Sequence, residues 1–256
     1  MRNVALAGLD HVARAVLPIA TDYPPGHLLD WHEHRRAQFL YGATGVMVVE
    51  TADGSWTVPT DRAVLIPPAT RHRVRMLDVS TRSLYVEPAT VPWWPAACTV
   101  TDVTPLLREL LLAAAAFDPD YDLSGRDGAV ATLLLHEIAA LTPLPLHVAI
   151  PASPDLAALC RAYLAEPDAG ATNTEWAASL STSERAFTRR FRKETGASPA
   201  VWRTRARLLA AVPLLRTSPV TTVAAHLGYA SPAAFTAAFS RTFAVPPSRF
   251  THTSRA

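Results

Sequence analysis

The sequence has almost no lysine, only two cysteines and no long hydrophobic run. Its longest apolar run, residues 110–117, is too short for a membrane span, which needs roughly 18 or more apolar residues. The N-terminus has one early arginine but lacks the apolar stretch and the small-residue cleavage site of a signal peptide. Cys98 and Cys160 lie far from each other and from the histidines in sequence. We therefore expect a cytoplasmic protein without a membrane partner, in which both cysteines are reduced apolar residues rather than a disulfide or a metal pair.

Arginine is plentiful instead, and its distribution is uneven. A single lysine, Lys193, stands among 24 cationic residues, and the formal net charge of the 256 residues is +2. Residues 1–150 carry 11 arginines against 16 acidic residues, whereas residues 151–256 carry 13 cationic against 6 acidic residues. The first part thus has a net charge of −5 and the second a net charge of +7. This division favours a nucleic-acid-binding module joined to an acidic module, with a merely solvated basic face as the alternative.

The first hundred residues have the pattern of short strands. Two apolar runs, residues 45–51 and 55–58, flank the turn sequence Ala52-Asp53-Gly54, which predicts a β-hairpin. Two further runs, residues 63–66 and 83–86, stop at or just before prolines. Because 49% of the residues are apolar, the chain can bury a core, and short strands with frequent turns favour a barrel or a sandwich.

From about residue 100 the hydrophobic period becomes helical. Thr104 and Pro105 favour an N-cap and a first helical position, and residues 127–141 predict a second helix. The apolar side of that second helix is expected to hold Val130, Leu133, Leu134, Ile138 and Leu141. These helices would pair two subunits or pack within one. Prolines across residues 142–154 then predict a linker, with Ser153 at the start of the next helix.

Two stretches of the basic part resemble one another. Residues 175–191 and 223–239 each contain a short helical pattern, a three- or four-residue turn, a serine and a helix with phenylalanines four residues apart. This is the pattern of a helix-turn-helix, present twice, with Ser183 and Ser231 as N-caps. A connecting helix from Ser198 to about residue 216 would span about 27 Å. Pro213 is expected to kink this helix or to end it early.

Segment 174–250 resembles the C-terminal DNA-binding domain of AraC/XylS-type transcription regulators. The matching residues are Ser183, Phe187, Arg190, Phe191, Glu194-Thr195-Gly196, Ser198-Pro199, Arg207-Leu208, Ala211, Leu214-Leu215, Val223-Ala224, Leu227-Gly228-Tyr229, Ser231, Phe235, Phe239, Phe243 and Val245-Pro246-Pro247. The resemblance implies that Arg185, Thr188 and Arg189 read base edges in a major groove, with Arg192 beside them. The phenylalanines are assigned to the core.

The corresponding positions of the second unit are different. They hold Pro232, Ala233, Ala234 and Ala237, with Thr236 and Arg241 nearby, and none of the four has a hydrogen-bond donor on its side chain. We therefore predict that the first unit supplies most of the direct base readout. The second unit would contribute phosphate contacts, amides of a helix terminus and contacts with thymine methyl groups. Ser181 also replaces the glycine that is usual in the first turn, whereas Gly228 keeps it in the second.

The acidic part has a histidine pattern that resembles the cupin motifs. Gly26, His32-x-His34, Gln38 and Gly45 match the first motif, with Gln38 in place of the usual glutamate. Pro67-x-Ala69-x-x-His72 matches the second motif, in which Asp61 and Ala69 replace glycines and Met76 replaces the usual asparagine. The resemblance implies that His32, His34, His72 and the amide oxygen of Gln38 form a site for Zn, Ni, Fe or Cu. The alternative is a barrel whose histidines are only hydrogen-bonded.

These patterns together predict an α+β multidomain chain with three parts. A cupin-like β-barrel over residues 1–98 would sense a small molecule or a metal ion. A helical connector over residues 99–150 would be a candidate dimerisation element for a homodimer. An all-α tandem helix-turn-helix domain over residues 151–256 would bind double-stranded promoter DNA, and RNA polymerase would be a partner of an activator.

The predicted function is therefore a ligand-responsive, sequence-specific transcription regulator, with no catalytic residue assigned. Two alternatives remain at this point. The first is a cupin-type metal-dependent enzyme fused to a DNA-binding domain, which the loss of glutamate at Gln38 disfavours because an amide is a poor base. The second is a helical interaction module without DNA, which would leave the exposed arginines of the basic part without a role.

Overall fold

The computed structural model of the chain describes residues 11–250, so the expectation about a leader lies outside the described residues. The chain divides into two compact units. One unit holds the residues up to 49 together with 58–144, and the other holds residues 50–57 together with those from 145 onwards. The three sequence-derived domain boundaries stay predictions. No helix within residues 11–250 is long and apolar enough to cross a bilayer.

The first unit is built from antiparallel strands. They are β1 (Val16–Asp22), β2 (Leu28–His32), β3 (Ala37–Gly42), β4 (Val46–Glu50), β6 (Arg62–Ile66), β7 (His72–Leu77), β8 (Ser80–Val86), β9 (Thr99–Asp102) and β10 (Pro143–Leu144). One sheet has the order β1-β8-β3-β6-β9-β10, and in the other β7 lies between β4 and β2. The strand-rich, cupin-like first part is thus confirmed, but in the described residues its strands form sheets of a sandwich rather than a closed barrel.

The outer face of the six-stranded sheet carries two helices, α1 (Pro105–Ala114) and α2 (Arg126–Ala139). Since side chains alternate along a strand, Phe39 and Tyr41 face these helices while Gln38 points between the sheets. The buried residues of the helices, which complete one core with the sheet, are Leu107, Leu111, Ala131, Leu134 and Ile138. The predicted helices are therefore confirmed, and their buried stripe packs within one subunit. Leu133 was expected on this stripe but is 40% exposed, because residues 131, 134 and 138 lie on the buried side of the helix.

The proline-rich region 142–154 is not the featureless linker that its composition predicted. It contains β10 and a further strand, β11 (His147–Ala149). Each lies at the edge of its sheet, where a proline disrupts no ladder on its outer side. Helix α3 (Pro154–Ala165) then begins as predicted after Ser153. The Ser153 side chain does not cap it, however, because its hydroxyl donates to Glu194.

The second unit contains the predicted tandem helix-turn-helix. Its remaining helices are α4 (Asn173–Ser179), α5 (Glu184–Thr195), α6 (Pro199–Leu214), α7 (Val220–His226) and α8 (Pro232–Phe243). The hydroxyl oxygen of Ser183 accepts from the Ala186 amide at 3.3 Å, and that of Ser231 accepts from the Ala234 amide at 3.1 Å, as the capping predictions required. Pro213 lies in the last turn of α6, which ends at Leu214 and is therefore shorter than predicted.

The core of the second unit is aromatic. Trp176 lies about 6 Å from Phe187, Phe191 and Trp202, measured between ring centroids. The five phenylalanines assigned to the core are all buried: Phe187, Phe191, Phe235, Phe239 and Phe243. Cys98 of the first unit and Cys160 of the second are buried free thiols, and burial raises the pKa of Cys160 to about 12.

Residues 50–57 belong to the second unit although their neighbours in sequence belong to the first. They include most of β5 (Gly54–Val58), which pairs with β11 so that Trp56 lies opposite His147. The two rings stack at 6.2 Å, and the Ile150 amide donates to the carbonyl of Asp53 at 2.7 Å. A strand from the first part of the sequence is thus a structural component of the helical unit.

Three residues that replace family glycines have left-handed backbone conformations. The φ angles are +58° at Asp61, +53° at Ala69 and +51° at Ser181. Gly228, which occupies the turn position equivalent to Ser181, has a φ of +72°. A left-handed conformation costs a non-glycine residue roughly 1–2 kcal/mol, so the backbone is strained at three positions where the motifs that this sequence resembles have glycine.

We expect Ser181→Gly to raise the free energy of unfolding by about 0.5–1 kcal/mol, because relief of strain exceeds the added entropy of the unfolded chain. Gly228→Ala should lower it by more than about 1 kcal/mol, because strain combines with a Cβ placed 2.5 Å from Cβ of Ala169. Urea unfolding of the full chain measures both changes. A stabilised Gly228→Ala variant would contradict the left-handed assignment of these turns.

Candidate DNA-binding face and histidine cluster

One face of α5 is basic and exposed. Phe187 and Phe191 are buried on the opposite face, which turns Arg185, Thr188 and Arg189 outwards. Together with Glu184, Arg192 and Lys193 these residues line a shallow groove of about 730 Å³. Arg185, Thr188 and Arg189 lie within the first turns of the helix, where a side chain of a recognition helix can reach base edges. The residues that were predicted to bind DNA from the first helix-turn-helix unit thus lie together on one surface.

Arg190 points away from this groove. Its guanidinium donates to both carboxylate oxygens of Asp155 at 2.6 and 2.7 Å and to Glu194 at 3.3 Å. These hydrogen bonds hold the pKa of Asp155 below its usual value, while Ser153 does the same for the pKa of Glu194. The sequence indicates only the Arg190–Glu194 pair, which is spaced four residues apart on α5, because Asp155 and Ser153 lie 35 and 41 residues from their partners.

The cations of the groove differ from Arg190 in this respect. Within residues 11–250, Arg185, Arg189 and Arg192 form no ion pair and make no side-chain hydrogen bond. Because their charges are not neutralised by the protein, they are available to phosphates or to guanine edges.

The equivalent face of α8 carries small side chains over its first turns, with the exposed Arg241 as its cation in the last turn. Ala233, Ala234 and Ala237 are exposed, and Thr236 is half-buried. The hydroxyl oxygens of Ser183 and Ser231 each accept one hydrogen bond in the helix caps, which leaves the hydroxyl hydrogen and one lone pair of each serine for a further contact. The chemical difference between the two units therefore persists on the folded surface.

A second candidate site lies between the sheets of the first unit. His32 and His72 are partners in the register of β2 and β7, and their ring centroids are 4.3 Å apart. His34 lies 5.3 Å from His72 and 6.2 Å from His32. Gln38 extends from β3 so that its Oε1 lies 3.1 Å from Nε2 of His34. All four residues of the predicted metal site are therefore brought together.

The hydrogen bonds of the three rings specify their tautomers. Each Nδ1 lies 2.6–2.8 Å from a backbone carbonyl, which belongs to Asp30 for His32, to Arg36 for His34 and to Thr70 for His72. A carbonyl can only accept, so each neutral ring carries its proton on Nδ1 and has a lone pair on Nε2. That is the tautomer that binds a metal through Nε2.

Two atoms of the cluster are left without a suitable partner. Nε2 of His72 is buried and makes no hydrogen bond. Nε2 of His34 faces Oε1 of Gln38, so two acceptors face each other at 3.1 Å. Burial lowers the pKa of His34 and lowers that of His72 to about 4, which disfavours a proton between these acceptors at neutral pH. A bound cation would satisfy both atoms.

The Gln38 amide is oriented by two residues that sequence reasoning missed. Its Nε2 donates to Tyr85 Oη at 3.0 Å and to Ser83 Oγ at 3.4 Å. Both partners lie on β8 and point to the same side as Gln38, which a period of two could have indicated once the strand pairing was known. In the residues that the structure describes, no group of three or more His, Cys, Asp or Glu side chains is arranged so that it could hold a metal ion.

Comparisons with known proteins match the chain to two family models, whose ranges overlap over residues 176–187. Residues 17–187 match the family model described as an AraC-like ligand-binding domain, and residues 176–253 match one described as a helix-turn-helix domain. The HTH-type transcriptional regulator NimR of Escherichia coli (strain K12) is 27% identical over 221 residues, which are 86% of this chain and 81% of that protein.

Two solved structures are also similar. ToxT from Vibrio cholerae O395 has 9% identity and a TM-score of 0.38, covering 92% of this chain and 96% of that chain. The DNA-binding domain of AdpA, a global transcriptional factor solved in complex with a target DNA, has 34% identity and a TM-score of 0.35. This second similarity covers 38% of the present chain and 90% of the AdpA domain.

Proposed function

This chain belongs to the AraC family of transcription regulators, and from that premise we propose that its two helix-turn-helix units bind promoter DNA in unequal ways. The observation that supports the proposal is the contrast between the two exposed helix faces. The α5 face presents Arg185 and Arg189 without an internal partner, whereas the α8 face presents alanines.

This contrast has a chemical consequence at the DNA. An arginine can donate two hydrogen bonds to O6 and N7 of one guanine, which distinguishes that base pair from the other three. Alanine offers only a methyl contact, and the Ala233 amide at the start of α8, which follows Pro232 and takes no part in the Ser231 cap, binds phosphate without reading sequence. The first helix-turn-helix unit thus specifies the sequence of the binding site, and the second helix-turn-helix unit adds affinity and fixes the register on the duplex.

A base-substitution scan of a selected binding site tests this division. We expect substitutions in the segment read by α5 to cost about 1–3 kcal/mol each, and substitutions in the other segment to cost less, except where a thymine methyl is lost. Fluorescence anisotropy at one fixed salt concentration measures the affinities. Equally strong, hydrogen-bond-dependent discrimination in both segments would contradict the proposal.

We also propose that the histidine cluster of the ligand-binding domain takes a divalent metal ion, of the Zn, Ni, Fe or Cu class, either as the effector or as the group that binds one. His32, His34 and His72 would supply imidazole nitrogens, and Gln38 would supply its amide oxygen. The support is the shared Nδ1-protonated tautomer, the unpartnered Nε2 of His72 and the opposed acceptors at Gln38. The bound metal would act as a Lewis acid toward an oxygen ligand.

Removal of one imidazole tests the metal site. We expect wild-type protein to bind Co²⁺ or Zn²⁺, and His72→Ala to weaken that affinity by roughly 100-fold or more, because one of three imidazole ligands is lost. Gln38→Glu should strengthen it about tenfold, since a carboxylate adds a negative charge beside the cation. His147→Ala, a half-buried histidine of the other unit, is the matched control.

Metal content by mass spectrometry and the visible absorption of the Co²⁺ protein measure these effects. Wild-type protein that binds no more metal than His72→Ala would contradict the metal proposal. In that case the Gln38 amide would be rotated by 180°, donating to His34 and accepting from Tyr85, and the cluster would be a hydrogen-bonded element of the core.

The remaining partners follow from the same family membership as proposals. Exposed leucines of α1 and α2, Leu106 (50%), Leu112 (44%) and Leu133 (40%), are suited to a homodimer contact. RNA polymerase is the expected partner if the protein activates transcription. We propose a regulator rather than an enzyme, because the amide of Gln38 occupies the position where a cupin enzyme would have a carboxylate base.

A further inference from the structure

Helix α6 joins the two helix-turn-helix units and carries two arginines on one side. Arg203 and Arg207 are four residues apart, so they project from adjacent turns of the helix. Arg203 is only 8% exposed, which is unusual for an arginine without a carboxylate partner. Neither side chain is among the residues that line the groove of α5. Both guanidinium groups lie over aromatic rings of the protein instead.

Arg203 binds the first helix-turn-helix unit. Its Nη2 donates to Oδ1 of Asn173, the first residue of α4, at 2.9 Å. Its guanidinium carbon lies 4.8 Å from the centre of the Trp176 ring, which belongs to the same helix. A cation–π contact and a hydrogen bond thus join α6 to α4.

Arg207 contacts the second helix-turn-helix unit in a similar manner. Its guanidinium carbon lies 4.9 Å from the centre of the Tyr229 ring. Tyr229 lies in the turn between α7 and α8, and its ring meets the edge of Phe235 in α8 at 5.3 Å. One helix therefore contacts both units through neighbouring arginines.

These contacts are a costly way to fill a core. Nη1 of Arg203, Nε of Arg207 and the hydroxyl of Tyr229 are all buried without a hydrogen-bond partner. An apolar side chain of similar size would avoid that desolvation cost. In return, these directional contacts fix the orientation of α6 relative to its partners. A guanidinium interacts favourably only when it lies over the face of a ring, whereas a methionine packs in many orientations.

We propose that Arg203 and Arg207 are positioning residues that fix the spacing and rotation between the two DNA-contacting helices. The proposal depends on the proposed binding of both units to DNA. Two recognition helices bind one face of a duplex together only when their separation matches about one helical turn, roughly 34 Å. A loosened α6 would leave each helix intact but would no longer favour one spacing.

The experiment uses the full chain and a binding site selected from random duplexes with the wild-type protein. Hydroxyl-radical footprinting should show two protected segments. Inserting one or two base pairs between them shifts the second segment by about 3.4 Å per base pair and rotates it, so wild-type affinity should fall roughly tenfold. Arg203→Met and Arg207→Met should lower affinity for the original site, and the insertions should then cost less than about threefold.

Three further variants separate positioning from general stability. Arg205→Met changes an arginine on the same helix and should behave as wild type. Arg207→Lys, which keeps a cation over the ring, should restore part of the spacing preference. Tyr229→Leu removes the aromatic partner from the other unit and should reproduce the effect of Arg207→Met. Thermal unfolding monitors whether each variant remains folded.

The possible outcomes are distinguishable. If folded Arg203→Met, Arg207→Met and Tyr229→Leu proteins keep the full insertion penalty, the positioning role is overturned while the binding mode stands. If their affinity for a duplex with the first segment alone falls by the same factor as for the whole site, the role is structural instead. A wild-type footprint of one segment would overturn both this proposal and the assignment of α8 to DNA.

Discussion

Arg185→Ala combined with Arg189→Ala should abolish sequence-specific DNA binding while leaving weak non-specific binding in place. Each bidentate contact between arginine and guanine contributes about 1–3 kcal/mol of discrimination, so each substitution alone should cost roughly 10- to 100-fold in specific affinity. Both side chains are exposed on the α5 groove and form no ion pair within residues 11–250, so their removal should not destabilise the helix. Competition between specific and random duplexes at fixed salt measures the loss.

Arg192→Ala is the matched control for charge. It removes one arginine from the same groove but beyond the first turns of α5, where a phosphate contact is expected. Such a variant should weaken binding to all sequences similarly and reduce the slope of log affinity against log salt by about 1. Unchanged affinity and selectivity in the double variant, with α5 still helical, would show that this face does not read DNA.

Trp202→Ala should cost about 3–5 kcal/mol of unfolding free energy, which is much of the 5–15 kcal/mol typical of a folded domain. Trp202 is 2% exposed and lies within about 6 Å of Tyr163, Trp176 and Phe191, measured between ring centroids. Its loss leaves a cavity at the centre of the first helix-turn-helix unit. DNA binding should therefore be lost together with helical structure at moderate temperature, as followed by circular dichroism at 222 nm.

Trp202→Phe separates the cavity from the hydrogen bond. The indole nitrogen of Trp202 donates to the carbonyl of Ala149 in β11 at 2.6 Å. Phenylalanine keeps an aromatic ring in the core but loses that donor, so we expect a smaller cost of about 1–2 kcal/mol. Equal stability of the alanine and phenylalanine variants would contradict the assignment of Trp202 to the centre of this core.

The regular elements were predictable because hydrophobic period and capping chemistry act locally. Thr104 and Pro105 specified the start of α1, and Ser183 and Ser231 specified the starts of α5 and α8. The short strands β10 and β11 were missed, because two or three residues beside prolines carry no period of their own. Their pairing with distant strands is what makes them strands, and that information is not local.

Residues of a candidate site were predictable where they lie close together in the sequence, because the local backbone then fixes the spacing between their side chains. His32 and His34 were predictable as a pair because they are two residues apart, although β2 ends at His32 and His34 lies in the segment that follows it. The period of a helix placed Arg185 and Arg189 on one face. Tyr85, which orients Gln38, comes from a strand 47 residues away. The contacts of Arg203 and Arg207 were not predicted, although Arg207 is among the residues that carry the family resemblance, because an arginine on a helix is normally exposed to solvent.

The two compact units of this protein do not correspond to two continuous segments of its sequence. A single crossover near residue 145 would separate residues 50–57 from the rest of their unit, although they pair with β11 and stack Trp56 on His147. A complete DNA-binding unit for transfer to another protein therefore consists of two separate segments of the sequence. A chimera that carries only the second segment has β11 with an unpaired edge.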